Sequence, residues 1–247
     1  MRLVADLHTH SIASGHAFST ITENARAAAQ RGLEILGITD HGPNIPGGPH
    51  PYYFYNLLSL PDELEGVKLV RGVEANIIDR QGRLDLKKDV LSRLDLVAAG
   101  FHEVCSPYGT KEENTEAMVA AMAGGWVDII VHPGNPNFEI EPEEVVNAAL
   151  KYGIVLEINN SSLSKGGARK GSYHNCLRIA SLAAEKGLTV VVGSDSHFAD
   201  NIGNFTEALK LIEKAGIKPE QVLNTSSAKV LGYLEKRKQI RQGLLEK

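Results

Sequence analysis

The 247-residue chain is poor in cysteine and in aromatic residues, and it lacks long apolar runs. Its two cysteines, Cys105 and Cys176, are too few for a disulfide scaffold and are typical of a reducing compartment. No run approaches the roughly 20 apolar residues of a membrane span. Charge interrupts the N-terminus before the apolar segment of a signal peptide could form. We therefore expect a cytoplasmic protein with no membrane partner.

The chain also lacks an excess of positive charge. Lys and Arg number 26 against 30 Asp and Glu, which gives a formal net charge of −4 at pH 7. A negative balance disfavours a broad electrostatic contact with nucleic acid. Charged residues make up 23% of the chain and hydrophobic residues 43%, which is typical of a globular protein. We therefore expect a folded enzyme-sized domain that does not bind nucleic acid.

Short apolar segments rich in Val, Ile and Leu predict buried parallel strands, because they lack the strict alternation of strands with one wet face. The predicted strands are Leu3–Leu7, Glu34–Thr39, Lys68–Val73, Leu96–Gly100, Ile129–Val131, Ile154–Ile158 and Thr189–Gly193. The predicted helices between them are Ile21–Arg31, Glu112–Ala123, Pro142–Tyr152 and Asn175–Lys186. Strand ends recur about every 30 residues, the length of one βα unit.

Repeated βα units at this length predict one α/β domain over residues 1–247, a TIM-like barrel of parallel strands. An open doubly wound sheet is the alternative. The segment from about Ser226 is predicted to be a helix outside the barrel, with the basic cluster Lys236-Arg237-Lys238 on a solvated face. The proline-rich stretch Gly42–Tyr55 is predicted to be a loop over one face of the sheet.

Residue types that bind metals close six of the seven predicted strands. They are His8 and His10, His41, Glu74, His102, His132, and the pair Asp195 and His197. In a parallel barrel these strand ends converge on one rim, where the active sites of such barrels lie. Crowded imidazoles without a metal would be costly there, and imidazole and carboxylate are ordinary ligands of Zn, Mn and Fe. The sequence therefore predicts a metal site at the rim, whereas His50 and His174 lie outside this pattern.

This ordered set, with His16, resembles the ligand set of the PHP (polymerase and histidinol phosphatase) superfamily. Longer motifs resemble its YcdX-type phosphatase branch: Gly100-Phe101-His102-Glu103, His132-Pro133-Gly134-Asn135-Pro136, the run from Glu157 to Ser162, and Gly193-Ser194-Asp195-Ser196-His197. The resemblance spans essentially the whole chain. It implies a distorted (β/α)7 PHP barrel with phosphoesterase activity, and a homo-oligomer, namely a trimer.

The same resemblance implies three divalent metal ions per chain, with Zn favoured and Mn or Fe as alternatives. The implied ligands are His8, His10, His16, His41, Glu74, His102, His132, Asp195 and His197. By family pattern, Glu74 bridges two ions that are also held by His8, His10, Asp195, His102 and His132, while His16, His41 and His197 hold the third.

Nine ligands shared among three ions leave coordination positions open, which is typical of a catalytic site. The ionic charge would exceed that of the two carboxylates, so the site favours a dianion such as a small phosphate monoester. Divalent metals lower the pKa of bound water toward about 7, which would supply hydroxide to attack phosphorus. The sequence thus predicts a metal-dependent phosphatase that acts on a small phosphorylated metabolite.

Three further residues are candidates for orienting ligands or binding substrate. Asp6 is predicted to share the inward face of its strand with His8, and Asp40 precedes His41, so both are candidates to fix an imidazole tautomer. Arg169, with Lys170, is the candidate phosphate-binding residue, and it lies in a loop after the sixth strand. That sixth strand carries no implied ligand, and we expect Glu157 and Asn159 at its end to shape the pocket.

Two other functions stay open. A nuclease is disfavoured by the acidic net charge and by the absence of interleaved basic and aromatic residues. A non-catalytic metal-binding module is disfavoured by the unbroken ligand set.

Overall fold

The computed structural model describes residues 1–107, 109–164 and 169–246. Its strands are β1 (Ala5–Asp6), β2 (Ile35–Ile38), β3 (Glu63–Leu64), β4 (Val67–Asn76), β5 (Leu96–Gly100), β6 (Ile129–Ile130), β7 (Val155–Asn159) and β8 (Val190–Gly193). Its helices are α1 (Ile21–Gln30), α2 (Tyr52–Asn56), α3 (Lys88–Leu91), α4 (Lys111–Ala123), α5 (Pro142–Tyr152), α6 (Ser172–Lys186), α7 (Thr206–Ala215) and α8 (Ser227–Leu245).

The sheet is a nearly closed barrel. Across the described ranges its parallel strands are hydrogen-bonded in the order β1-β2-β4-β5-β6-β7-β8, and the short β3 pairs antiparallel with β4. Spatial order therefore follows chain order, as in a barrel, whereas a doubly wound sheet reverses its strand order. The predicted (β/α)7 barrel is confirmed.

Asn224 closes the seam between the edge strands β1 and β8. Its Nδ2 donates to the carbonyl oxygens of Ala5 and Val192, both at 2.8 Å, and its backbone carbonyl accepts from the Val4 amide at 2.9 Å. Nearer the carboxyl ends of the strands, the Asp195 amide donates to the His8 carbonyl at 3.0 Å. One buried amide side chain thus replaces part of a strand ladder, and the rest of the seam runs through implied metal ligands.

The barrel separates two apolar cores. Outward-facing strand residues pack against the helices, whereas the interior is filled by alternate residues such as Val70, Leu96 and Ala98. Val230 and Leu234 of α8 belong to the interior cluster. The prediction that the C-terminal helix packs outside the barrel is therefore wrong, because its apolar residues plug the amino end of the strands.

The prediction that Lys236-Arg237-Lys238 lies on a solvated face of α8 is also wrong for the middle residue, Arg237. Lys236 is exposed, but Arg237 is 4% exposed and its Nε donates to Asp128 at 3.2 Å. Arg241, fully buried, also pairs with Asp128 and donates to the carbonyls of Leu91 and Leu94. Arg237 also donates to the Val127 carbonyl at 2.7 Å. Buried charges need partners, and Asp128 and backbone carbonyls supply them for both guanidinium groups at the base of the barrel.

The proline-rich loop is more ordered than expected, since Tyr52–Asn56 forms the short helix α2 within it. Phe54 is 1% exposed and packs in the outer core, while Tyr52 is 70% exposed. Thr20 and Glu23 form a capping box at the start of α1. None of the helices in the described ranges combines the length and the apolar character that crossing a membrane requires.

We predict that Arg241→Ala lowers the free energy of unfolding by about 3–5 kcal/mol, because it leaves part of a buried carboxylate without its counter-charge. Urea denaturation measures the change. Lys236→Ala on the exposed face of the same helix is the control, and it should stay within about 0.5 kcal/mol of the parent. Equal stability of the two variants would contradict the role given to the buried cluster.

Candidate metal centre

The Glu74 carboxylate is the hub of the rim and is fully buried. Its Oε1 lies 2.7 Å from His132 Nε2, 3.1 Å from His102 Nε2 and 3.3 Å from His8 Nε2. Its Oε2 lies 2.7 Å from His41 Nδ1 and 3.4 Å from His10 Nε2. Glu74 shares the inward face of β4 with Val70 because side chains two residues apart point the same way, so one strand aims this carboxylate into the barrel mouth.

Asp195 is the second acidic centre. Its Oδ1 lies 3.3 Å from His10 Nε2, 3.5 Å from His8 Nε2 and 3.6 Å from His197 Nδ1. His16 joins this side of the cluster, since its Nε2 lies 3.2 Å from His197 Nε2. All nine implied ligands therefore meet in one place at the carboxyl ends of the strands.

Within the described residues, three sets of side chains bring their ligand atoms within 4.8 Å of one another. The sets are His8–His10–Glu74, His41–Glu74–His102 and His10–His41–His197. They overlap at His10, His41 and Glu74, so the donors form one continuous cluster rather than three separate sites.

Several buried polar atoms of this cluster lack a well-formed hydrogen bond within the protein. Among the described residues, the buried atoms without a well-formed hydrogen bond include His8 Nε2, His10 Nε2, His41 Nδ1, Glu74 Oε2 and Asp195 Oδ1. Buried polar groups are normally satisfied, and orphaned ones are costly. Nitrogen and carboxylate donors that converge without hydrogen-bond partners fit divalent cations.

The protein groups alone leave the cluster short of positive charge. Burial lowers the pKa of His8, but Glu157, Glu74 and Asp195 raise it further, and the net pKa is well above the ordinary value. Burial raises the pKa of Glu74, yet the surrounding imidazoles, His41 first, bring it well below the usual range. Both directions favour a cation between the carboxylates. By contrast, burial lowers the pKa of His132 to about 4, so that imidazole stays neutral, as a ligand must be.

Glu157 orients His8. Its Oε1 lies 2.7 Å from His8 Nδ1, and its Oε2 accepts from the His132 amide at 2.9 Å. This is the carboxylate–histidine arrangement that turns the other ring nitrogen toward a metal. Glycine at position 193 leaves room for the Glu157 carboxylate in this position, because a Cβ there would lie 2.0 Å from Glu157 Oε1.

Backbone strain also marks the rim. His132 and Asp195 adopt positive φ values of 34° and 54°, which non-glycine residues rarely do. Such conformations cost about 1–3 kcal/mol each and persist where function requires them. The strain lies at two implied ligands, where it aims their side chains into the cluster.

Asp6 and Asp40 are both fully buried but contact different groups. The Asp6 carboxylate accepts from the backbone amides of Gly203 at 2.8 Å and Ser194 at 3.1 Å, rather than from an imidazole. Burial raises its pKa to about 6. Asp40 accepts from the Ser14 hydroxyl at 2.7 Å, and Ser14 in turn lies 3.2 Å from His10 Nδ1. Asp6 thus holds the loop after β8, while Asp40 reaches an imidazole through a hydroxyl.

Arg169 lies beside the cluster, with its Nη1 2.8 Å from Asp195 Oδ2. Lys170 is exposed, and Gly167 and Ala168 of the same motif lie outside the described residues. A cleft of about 750 Å³ opens onto the cluster, and its lining includes Arg169, His16, His41, His102, Asp195 and His197. Arg169 is therefore placed to contact a ligand in the cleft, whereas His50 and His174 are exposed elsewhere.

Comparison with protein families identifies the architecture. The PHP domain profile matches residues 6–161, and the PHP-associated profile matches residues 174–224. The chain belongs to the PHP domain family. The resemblance read from the ligand motifs is thereby confirmed.

This PHP domain has close relatives of the same length. A probable phosphatase of Caldanaerobacter subterraneus is 52% identical over 245 residues, which cover 98% of this chain and 96% of the relative. A probable phosphatase of Thermoanaerobacter sp. is 50% identical over 239 residues, covering 96% and 97%. A probable phosphatase of Shewanella sp. is 47% identical over 237 residues, covering 96% and 93%.

Solved structures share the fold of the PHP domain. Histidinol phosphate phosphatase of Lactococcus lactis, solved with zinc, L-histidinol and phosphate, superposes with a TM-score of 0.60 at 18% identity, covering 87% of this chain and 94% of that chain. A chain of archaeal ribonuclease P, solved with mature tRNA, gives a TM-score of 0.58 at 15% identity, covering 98% and 93%. At these identities the likeness concerns the fold alone.

Sequence reasoning missed two residues that support the PHP metal centre. Ser14 joins His10 to Asp40, and Tyr53 donates to Asp40 at 2.5 Å from the proline-rich loop. Neither lies at a strand end, so the pattern that located the ligands gave no signal for them. Glu157 did have that signal, because it lies near the carboxyl end of β7, where the other strands carry implied ligands.

We predict that loading the metal-free protein with Zn²⁺ at pH 7 releases protons. The raised pKa of His8 means that this imidazole holds a proton that a metal ion must displace. Affinity should therefore rise with pH up to that raised pKa and then level off. Calorimetry in buffers of different ionisation enthalpy counts the protons, and a buffer-independent heat would contradict the placement of His8.

Proposed function

We propose that this PHP domain is a metal-dependent phosphatase that hydrolyses a small phosphate monoester at a trinuclear centre. The convergence of two buried carboxylates and seven imidazoles, several of whose buried polar atoms lack hydrogen-bond partners, is the observation that carries the proposal. The probable phosphatases similar to the whole chain support the reaction class. The zinc, L-histidinol and phosphate bound by the Lactococcus lactis protein are consistent with it.

In this proposal Glu74 would hold two ions together with His8, His10, Asp195, His102 and His132, and a third ion would be held by His16, His41 and His197. Zn²⁺ is the favoured ion, with Mn²⁺ and Fe²⁺ as alternatives that metal analysis distinguishes. Bound divalent ions would lower the pKa of water toward about 7 and offset the negative charge that builds on the phosphoryl oxygens.

The chain itself supplies orientation and substrate binding. Glu157 holds the His8 ring in place through Nδ1, and Arg169 presents a guanidinium group whose donors match phosphate oxygens. Arg169 is the one Lys or Arg among the described residues that line the cleft. A single cation suits one phosphate group, whereas a polynucleotide needs a basic track along its backbone. The cleft therefore favours a monoester over a nucleic acid.

We further propose a cytoplasmic homo-oligomer, a trimer by its resemblance to the phosphatase branch. Light scattering coupled to size-exclusion chromatography measures the assembly. A monomer at micromolar concentration would contradict it without affecting the proposed chemistry.

We predict that His10→Ala or Asp195→Ala lowers the turnover of p-nitrophenyl phosphate at least about 100-fold. Loss of an outer-sphere partner already costs about 10–100-fold, and loss of a ligand costs more. His50→Ala, an exposed histidine outside the cluster, is the control and should keep parental activity.

The same assay with single-stranded DNA separates the alternative functions. Hydrolysis of the monoester alone supports the phosphatase, hydrolysis of DNA alone supports a nuclease, and metal binding without either reaction supports a non-catalytic module.

We predict that Arg169→Ala raises KM and weakens inhibition by inorganic phosphate about 10-fold or more. A hydrogen bond to a charged group contributes about 1.5–3 kcal/mol, and about 1.4 kcal/mol corresponds to tenfold. Lys170→Ala, at the exposed neighbouring position, should leave both constants unchanged. If the Arg169→Ala variant instead bound less metal while its KM stayed unaltered, Arg169 would serve only to hold Asp195 and would not bind substrate.

A further inference from the structure

A continuous hydrogen-bonded chain links the metal centre to the proline-rich loop. His10 Nδ1 lies 3.2 Å from Ser14 Oγ, and Ser14 Oγ donates to Asp40 Oδ1 at 2.7 Å. Asp40 Oδ2 accepts from the Tyr53 hydroxyl at 2.5 Å. His10, Ser14 and Asp40 are fully buried, so bulk water does not compete for these bonds.

The direction of the bonds follows from the number of hydrogens at each oxygen. Asp40 accepts from the Ser11 amide at 2.6 Å and from the Ser11 hydroxyl at 2.8 Å, besides Ser14 and Tyr53. A carboxylate surrounded by donors only accepts, so the single Ser14 hydrogen is committed to it. Ser14 Oγ then accepts from the His41 amide at 3.1 Å and from His10 Nδ1–H. His10 is thereby held with its proton on Nδ1.

This tautomer is the one that metal binding requires. With the proton on Nδ1, the lone pair of His10 is on Nε2, which lies 3.3 Å from Asp195 Oδ1 and 3.4 Å from Glu74 Oε2. The opposite tautomer would point an N–H bond into the cluster and block coordination.

Tyr53 is suited to the far end of this chain. Burial, followed by the Asp40 charge, raises the pKa of Tyr53 well above its usual value, so the hydroxyl keeps its proton and donates. Phe54 next to it is buried in the outer core and fixes the position of α2. Tyr55 in the same helix bonds to Asp89 instead, on an exposed face away from Asp40.

We propose that the Ser14–Asp40–Tyr53 chain positions His10 in its metal-binding tautomer, and that Tyr53 thereby couples the proline-rich loop to metal affinity. These three are positioning residues, since they act on the metal centre through His10. The inference rests on the proposed metal site and adds the part of the protein that prepares it.

The test measures Zn²⁺ affinity by competition with a chelator on metal-free protein. Ser14→Ala removes the acceptor of His10 Nδ1–H, and we expect about 10–100-fold weaker binding, the usual cost of losing an outer-sphere partner. Tyr53→Phe removes one donor to Asp40 but keeps the ring, and it should weaken binding by a smaller factor. Tyr55→Phe is the matched control and should bind Zn²⁺ like the parent.

Nitrogen-15 NMR of the histidine rings in the metal-free protein gives an independent readout. The parent should carry the His10 proton on Nδ1, with the signal assigned by its loss in His10→Gln, and Ser14→Ala should show a mixture of tautomers. A purely structural role would lower the melting temperature of Ser14→Ala while its His10 tautomer and Zn²⁺ affinity stayed parental, and that result would overturn the inference. A parent protein that binds no divalent metal would overturn the proposed function instead, while the tautomer measurement would still decide the positioning role.

Discussion

The burial of the Glu74 carboxylate at the mouth of the barrel is the constraint on which the site depends. A charge removed from water must find opposite charge or hydrogen-bond donors nearby. At this position imidazoles contributed by several strands surround the carboxylate. His132 Nε2 forms a hydrogen bond to its Oε1 at 2.7 Å, whereas His8 Nε2, His10 Nε2 and His41 Nδ1 face it without well-formed hydrogen bonds. His132 and Asp195, two residues with strained positive φ values, lie at the same mouth of the barrel. Divalent ions would supply the positive charge that this arrangement lacks, which is the physical basis of the proposed metal site.

Buried charges are fully paired at one end of the barrel and incompletely paired at the other. At the base, Asp128 meets Arg237 and Arg241, and backbone carbonyls take the remaining guanidinium donors. Every charge there has its partners within the chain, so the cluster fixes α8 as a plug. At the rim the acidic groups meet mostly imidazoles instead, and several buried polar atoms remain without a hydrogen-bond partner. The same physical cost of burial therefore yields a structural joint at one end and a binding site at the other.

Residues outside the ligand set determine how well the site is prepared. Glu157 fixes His8 from β7, and the Ser14–Asp40–Tyr53 chain reaches His10 from the proline-rich loop. Each approaches an imidazole from the side away from the cluster, where it selects the ring nitrogen that stays free. Arg169 lies on the open side, in the cleft that a substrate would enter. Glu157 and the Ser14–Asp40–Tyr53 chain thus act on imidazoles, whereas Arg169 is the residue proposed to contact phosphate.

The sequence by itself determined the barrel and the positions of eight of the nine clustered side chains, because apolar segments and strand ends recur with a fixed spacing and parallel strands all end at one rim. The ninth, His16, came with the resemblance to the PHP superfamily. Residues such as His102 and His132 could be located from their place after a strand alone. Tertiary structure decided everything that depends on contacts between distant segments. Arg237 looks like part of a solvated basic face until Asp128 is placed beneath it, and Tyr53 looks like an ordinary loop aromatic until Asp40 is within 2.5 Å. Local patterns encode which way a side chain faces along its own strand or helix, but a buried charge or hydroxyl takes its role from the partner that the fold brings to it.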